Sequence, residues 1–127
     1  MGAASIWIGL AAAGVVVTSA SAQPAGSAAA GEALYEAKCG GCHSVDADRI
    51  GPRHRDVVGR KVGSVPGFDY SDALKKLGGV WTTVRLDIWL QNPAVMAPGA
   101  KMFLTVPDAR QRHDIIAYLA SVSSSAK

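Results

Sequence analysis

Apolar positions in this chain recur with helical spacing in a few short stretches, and no stretch alternates convincingly two by two. The clearest helix runs from Asp108 to Val122. There Ile115, Ile116, Leu119 and Val122 share a face, and Pro107 suits the first turn. Thr83 to Gln91 predicts a second helix, ended by Asn92-Pro93. Ser71 to Leu77 predicts a shorter one, with Ser71 as N-cap and Gly78-Gly79 as its stop. Gly31 to Lys38 predicts another, with Leu34 and Tyr35 as its apolar face. Residues 44–70 are rich in Gly and Pro and read as an irregular loop, not as strands. So long a loop is unusual in a compact domain unless something else organises it. The pattern predicts an all-α domain with a helix at each end.

The N-terminus follows a different pattern. Ile6 to Val17 is an uncharged apolar run, and Ala20-Ser21-Ala22 fits the small-x-small rule before a cleavage site. Residues 1–22 therefore read as an export signal cut before Gln23, followed by a short flexible leader over 23–30 and the domain proper over 31–127. Residues 1–22 contain no Lys or Arg. Either the amino terminus supplies the only positive charge of the signal, or the true start lies upstream. The competing reading is an uncleaved anchor over Ala3 to Ala22, which is weak because the segment is rich in Ala and Gly and carries Ser and Thr near its end.

Composition narrows the picture. A domain this small often needs a metal, disulfide or cofactor to complete its core. Of 127 residues, 13 are Lys or Arg and 10 are Asp or Glu, and the basic residues are scattered. That balance argues against nucleic acid as a partner and points only weakly to an acidic protein. The two cysteines stand three positions apart, so a disulfide between them would close a tiny loop and stabilise little.

Those cysteines belong to Cys39-Gly40-Gly41-Cys42-His43, a C-x-x-C-H motif, the attachment signature of c-type haem. Two thiols at this spacing can add to the two vinyl groups on one porphyrin edge. The histidine that follows is then held under the iron as a neutral imidazole ligand. A thioredoxin-like dithiol would need a βαβ setting, and none is evident. A zinc finger fails on spacing, because His113 lies far beyond His54.

From residue 31 onward the sequence resembles class I cytochromes c, most closely the mitochondrial cytochrome c and bacterial cytochrome c2 group. Gly31 and Tyr35 match the Gly and aromatic of that family's N-terminal helix, and Gly51-Pro52 its Gly-Pro pair. Gly59-Arg60-Lys61 with Pro66-Gly67-Phe68-x-Tyr70 matches its G-R-K…P-G-F-x-Y segment. Pro98-Gly99-Ala100-Lys101-Met102 matches its P-G-T-K-M run, and Ile115 to Leu119 the apolar face of its C-terminal helix.

The resemblance implies a small all-α fold in which N- and C-terminal helices pack together around one haem c held by two thioethers, from Cys39 and Cys42, with long irregular loops. It implies His43 and Met102 as iron ligands, the Pro52 carbonyl as acceptor for His43, and Arg60, Tyr70 and Trp81 near the propionates. Met96 is the rival methionine and is expected to pack rather than ligate. His54 stands where the family has an apolar residue. It reads as an alternative ligand or proton-linked modulator, or, as we prefer, a ring that packs on the porphyrin edge or reaches solvent. His113 is expected at the surface.

The family's basic rim is thin here, with Lys38 and Lys101 left beside Ala94 and Val95, so docking should respond weakly to salt. Trp89 and Leu74 suggest a drier haem pocket. The function implied is a monomeric periplasmic one-electron carrier between membrane or periplasmic redox partners, not an enzyme, with membrane association only if residues 1–22 are retained. A haem subunit of a larger dehydrogenase or oxidase is one alternative; a five-coordinate peroxidase or gas-binding protein is another.

Overall fold

The computed structural model describes residues 26–124, and outside that range only Gly2, Gly14 and Val15. The expected export signal, its cleavage after Ala22 and the start of the leader fall almost entirely outside the described residues. Five helices follow in chain order: α1 (Ala28–Lys38), α2 (Asp72–Leu77), α3 (Thr83–Gln91), α4 (Pro93–Met96) and α5 (Ala109–Ser121). Among the described residues no strand forms. The all-α expectation holds.

Helix limits follow the capping chemistry. Ser27 caps α1, its hydroxyl accepting from the Ala30 amide, so the helix begins three residues before Gly31 and takes in the end of the expected leader. Ser71 caps α2 as its sequence position requires, and Gly78 ends it at φ 64°. Thr82 caps α3. Asn92-Pro93 ends α3 as expected and also starts α4: the Asn92 side chain accepts from Ala94, and Pro93 takes the first helical turn. That one-turn helix is too short to leave a periodic signal. In α5, Asp108 is the cap rather than the first helical residue, with its carboxylate accepting from Gln111, so Pro107 precedes the cap instead of filling the first turn.

Helices α1 and α5 pack against each other, and α3 packs on α5. The crossing is close because Gly31 has no side chain: a Cβ there would stand 1.8 Å from the Asp114 carbonyl oxygen. Tyr35 meets Tyr118 across the same contact, with ring centroids 5.2 Å apart. Ile115, Ile116 and Leu119 are buried as the α5 pattern predicts, while Val122 is only half-buried beyond the helix end. The polar positions of α5 behave differently. Asp114 is buried and accepts from the Ser27 amide at 2.7 Å, tying α5 to the start of α1. Arg112 is buried and donates to Asp87 of α3 at 2.7 Å. His113, expected at the surface, is half-buried with Nε2 4.0 Å from the same carboxylate.

The long loop is organised by backbone hydrogen bonds of its own. Gly51, His54 and Arg55 amides donate to the carbonyls of Cys42, Ser44 and Val45. Farther on, Gly59 donates to Trp81, Trp81 to Arg60 and Val62 to Gly79, forming a short antiparallel bridge at Lys61–Val80. The C-terminal end is tied in by Asp56, whose amide donates to Val122 and whose carboxylate accepts from Ser124. These bonds turn 39–70 into one wall of a cavity that the end of α1, Leu74 of α2, Trp81, α3, residues 101–104 and α5 complete.

Candidate functional site

The cavity measures about 490 Å³, within the range of small-molecule and cofactor sites. Cys39, Cys42, His43, Gly51, Pro52, Arg60, Tyr70, Trp81 and Met102 all line it, so every expected site residue converges on one space. Trp89 and Leu74 line it as well, whereas Met96 does not and instead packs against the core.

Cys39 ends α1, its amide donating to the Tyr35 carbonyl at 2.8 Å. The Cys42 and His43 amides then both bond the Cys39 carbonyl, at 3.0 and 2.9 Å, which folds the motif into a tight turn. Arg49 clamps that turn by donating to the carbonyl oxygens of Gly40 and His43. Neither thiol is in a disulfide; Cys39 is buried and Cys42 exposed. Burial pushes the Cys39 thiol up to about 11, so it is no ready thiolate, as a redox dithiol would require.

His43 is half-buried, with Nδ1 2.8 Å from the Pro52 carbonyl oxygen. A carbonyl only accepts, so Nδ1 carries the ring proton, and in the neutral ring Nε2 keeps its lone pair. Burial lowers the His43 pKa, the Pro52 bond works against that, and Arg60 lowers it further. The net direction favours the neutral imidazole that ligation needs.

On the opposite chemical footing stands Arg60. Its Nη1 donates to the carbonyls of Arg53 and Arg55 at 3.0 and 3.2 Å, yet its buried Nε has no partner. Tyr70 is buried, and its hydroxyl accepts from the Val65 amide at 3.0 Å, which leaves its own proton to donate. Trp81 is buried against Trp89, ring centroids 5.4 Å apart.

His54 is half-buried, lines the cavity and does not stand alone. Its ring stacks on His43, centroids 4.0 Å apart and planes 19° from parallel, and its Nδ1 shares a 2.9 Å hydrogen bond with the Tyr35 hydroxyl. Burial first, then His43 and Arg60, holds its pKa well below the usual histidine value. Sequence reasoning found both residues but not their partnership, since nothing in linear spacing joins position 35 to 54. Arg49 and the Asp87–Arg112 pair were missed for the same reason.

Fold and cavity define a small helical domain shaped to hold one large group at a C-x-x-C-H wall. Residues 28–123 match the cytochrome c family model, and the chain belongs to that family. It is 43% identical over 110 residues to cytochrome c2 of Rhodomicrobium vannielii, covering 84% of this chain and 87% of that protein. It is 44% identical over 96 residues to the c-type cytochrome cy of Rhodobacter capsulatus, covering 74% of this chain and 48% of that longer protein. The structure of cytochrome cH from Methylobacterium extorquens superimposes with a TM-score of 0.72 at 43% identity, covering 76% of this chain and 99% of that one.

The family is one of electron carriers rather than enzymes, and it implies a covalently bound haem c. The residues fit that group. The Arg60 Nε, buried and without a partner, is a charged donor that a propionate would satisfy. Gly51 leaves His43 room that a Cβ would take, and the two thiols stand in the attachment motif.

Proposed function

We propose that this protein is a periplasmic one-electron carrier whose haem is attached through Cys39 and Cys42 and whose iron is held by His43 and Met102. The observation that carries the reading is the convergence of those four residues on one cavity from which Met96 is excluded. When bound, the haem supplies the Fe(III)/Fe(II) couple, with a thioether ligand favouring the reduced state. His43 presents Nε2 because Pro52 occupies its other nitrogen. Arg60, Tyr70 and Trp81 offer hydrogen-bond donors at the propionate side, Arg60 through its open Nε. Trp89 and Leu74 add apolar surface that keeps water from the site.

Two further features support the periplasmic part of the proposal. One is the apolar run from Ile6 to Val17 with Ala20-Ser21-Ala22 behind it. The other is that bacterial family members receive their thioether bonds outside the cytoplasm. None of the described helices is long and apolar enough to cross a membrane.

A pyridine haemochrome spectrum with intact mass reports covalent haem c and shows whether residues 1–22 are gone. Carbon monoxide then tests ligation. The reduced carrier should bind it slowly, and rapid binding would mean an open sixth position.

A further inference from the structure

Pro52 fixes which nitrogen of His43 faces the metal and Gly51 lies close beside the ring, but one hydrogen bond along Nδ1···O does not by itself set the tilt of the ring about that line. The plane of the imidazole needs a second restraint, and the structure holds one. His54 lies flat against the His43 ring at 4.0 Å and 19°. His54 is itself held: its Nδ1 bonds the Tyr35 hydroxyl at 2.9 Å, and its amide donates to the Ser44 carbonyl at 3.0 Å. Tyr35 is buried in the α1–α5 contact, its ring 5.2 Å from that of Tyr118. A continuous chain therefore runs from the helix crossing through Tyr35 and His54 to the face of His43.

We propose that His54, anchored by Tyr35, is a positioning residue that sets the plane of the His43 imidazole at the haem iron. The inference rests on the His43 ligation proposed above. His54 lines the same cavity as His43, and the effect assigned to it here acts through the ring it stacks on. The plane of an axial imidazole decides how its π orbitals mix with those of the iron, and so how unpaired spin spreads over the porphyrin in the oxidised protein. The hyperfine-shifted haem methyl resonances in the proton NMR spectrum report that distribution directly.

The experiment compares the mature oxidised holoprotein with His54→Leu, His54→Phe and Tyr35→Phe. His54→Leu removes the flat face and should reorder or respread the methyl resonances. His54→Phe restores a flat ring without the anchor and should bring the pattern part of the way back. Tyr35→Phe keeps the aromatic packing, removes only the hydrogen bond, and should move the pattern in the same direction as His54→Leu by less. An unchanged pattern in His54→Leu overturns the proposal, and so does a His54→Phe pattern identical to that of His54→Leu. Should His54→Leu fail to hold haem, Tyr35→Phe decides: an unchanged spectrum there overturns the anchor. The Fe–S charge-transfer absorption of the unsubstituted protein is recorded on the same samples. Its absence would sink the His43/Met102 reading itself, whereas its presence beside insensitive methyl shifts would sink only the role of His54.

Discussion

Gly51 lies so close to His43 that a Cβ at position 51 would stand 2.2 Å from Cε1 and 2.5 Å from Nδ1 of the ring. The Gly51 amide is also bonded to the Cys42 carbonyl at 2.8 Å, so the backbone cannot back away without opening the attachment turn. Gly51→Ala must therefore push the imidazole off its Pro52 acceptor. We expect the variant to mature with sharply reduced haem content, measured as pyridine haemochrome per polypeptide, and to lose the Fe–S absorption in whatever holoprotein forms. Full haem loading with an unaltered spectrum would show that the ring has room the geometry denies it.

Much of this site is legible in the sequence because its parts are local. Cys39 to His43 is a contiguous motif, and the cap at Ser71 is set by a neighbour three residues on. The rest depends on where distant segments meet. Asp114 and Arg112 read as polar helix positions, yet the crossing with α1 buries the first beneath Ser27 and the packing of α3 buries the second beside Asp87. The sequence does not reveal that His54 stacks on His43 and bonds Tyr35, because those partners lie eleven and nineteen residues away. The loop from 44 to 70 looked shapeless because its order comes from backbone hydrogen bonds, to which side-chain patterns are blind.

The two methionines differ in position more than in chemistry. Met102 lines the cavity, and Met96 sits against the core beyond α3. Met102→Ala should abolish the weak Fe–S absorption of the oxidised protein, lower the reduction potential and open the reduced iron to carbon monoxide. Met96→Ala should leave that band in place and cost stability by the cavity it creates. Loss of the band in the second variant alone would reverse the assignment.

Asp87 and Arg112 join α3 to α5 through a bond of 2.7 Å whose side chains keep only 25% and 10% of their exposure. Arg112 also donates to the carbonyls of Val106 and Pro107, both at 2.9 Å. Asp87→Ala strands a buried guanidinium, and breaking a buried pair from one side typically costs about 3 kcal/mol. Denaturant unfolding of the oxidised protein should show a loss of that order. Replacing both partners by apolar residues of similar volume should recover part of it, though the two carbonyls stay unmet. A single-variant loss well below 1 kcal/mol would place the pair among ordinary surface contacts.

Asp56 adopts φ 59°, a left-handed conformation rarely taken by a residue with a side chain, and its carboxylate accepts from both the amide and hydroxyl of Ser124 at 2.7 Å. Those two bonds, backbone first, hold its pKa below the usual carboxylate value. A depressed folded-state value means the clasp contributes fully above the ordinary carboxylate value and is lost as pH falls from there through the depressed one. Asp56→Asn tolerates the same φ and keeps an acceptor, so its melting temperature near neutrality should fall only slightly and its acid dependence should flatten. Asp56→Ala loses the acceptor and adds strain, and should melt lower at every pH. Identical acid titrations for the wild type and Asp56→Asn would remove Asp56 from the account.

Electron exchange should depend more on apolar contact than on charge. At the cavity mouth Phe103 and Ile50 are 87% and 78% exposed, an unusual position for such side chains unless a partner covers them. Lys101, one of the few lysines left at this rim, donates to Asp69 at 3.0 Å and holds that carboxyl below its usual range, so its charge is largely cancelled locally. Long-range steering needs uncancelled charge and fades within a Debye length of about 8 Å at physiological salt. Oxidation of the reduced protein by membranes of its native host should therefore slow only modestly from low to moderate salt. Lys101→Ala should change that rate little, while Phe103→Ser should lower it through weaker docking without moving the reduction potential. A steep salt dependence, or a rate sensitive to Lys101 and indifferent to Phe103, would mean that the charged groups, not the apolar rim, bring the partner in.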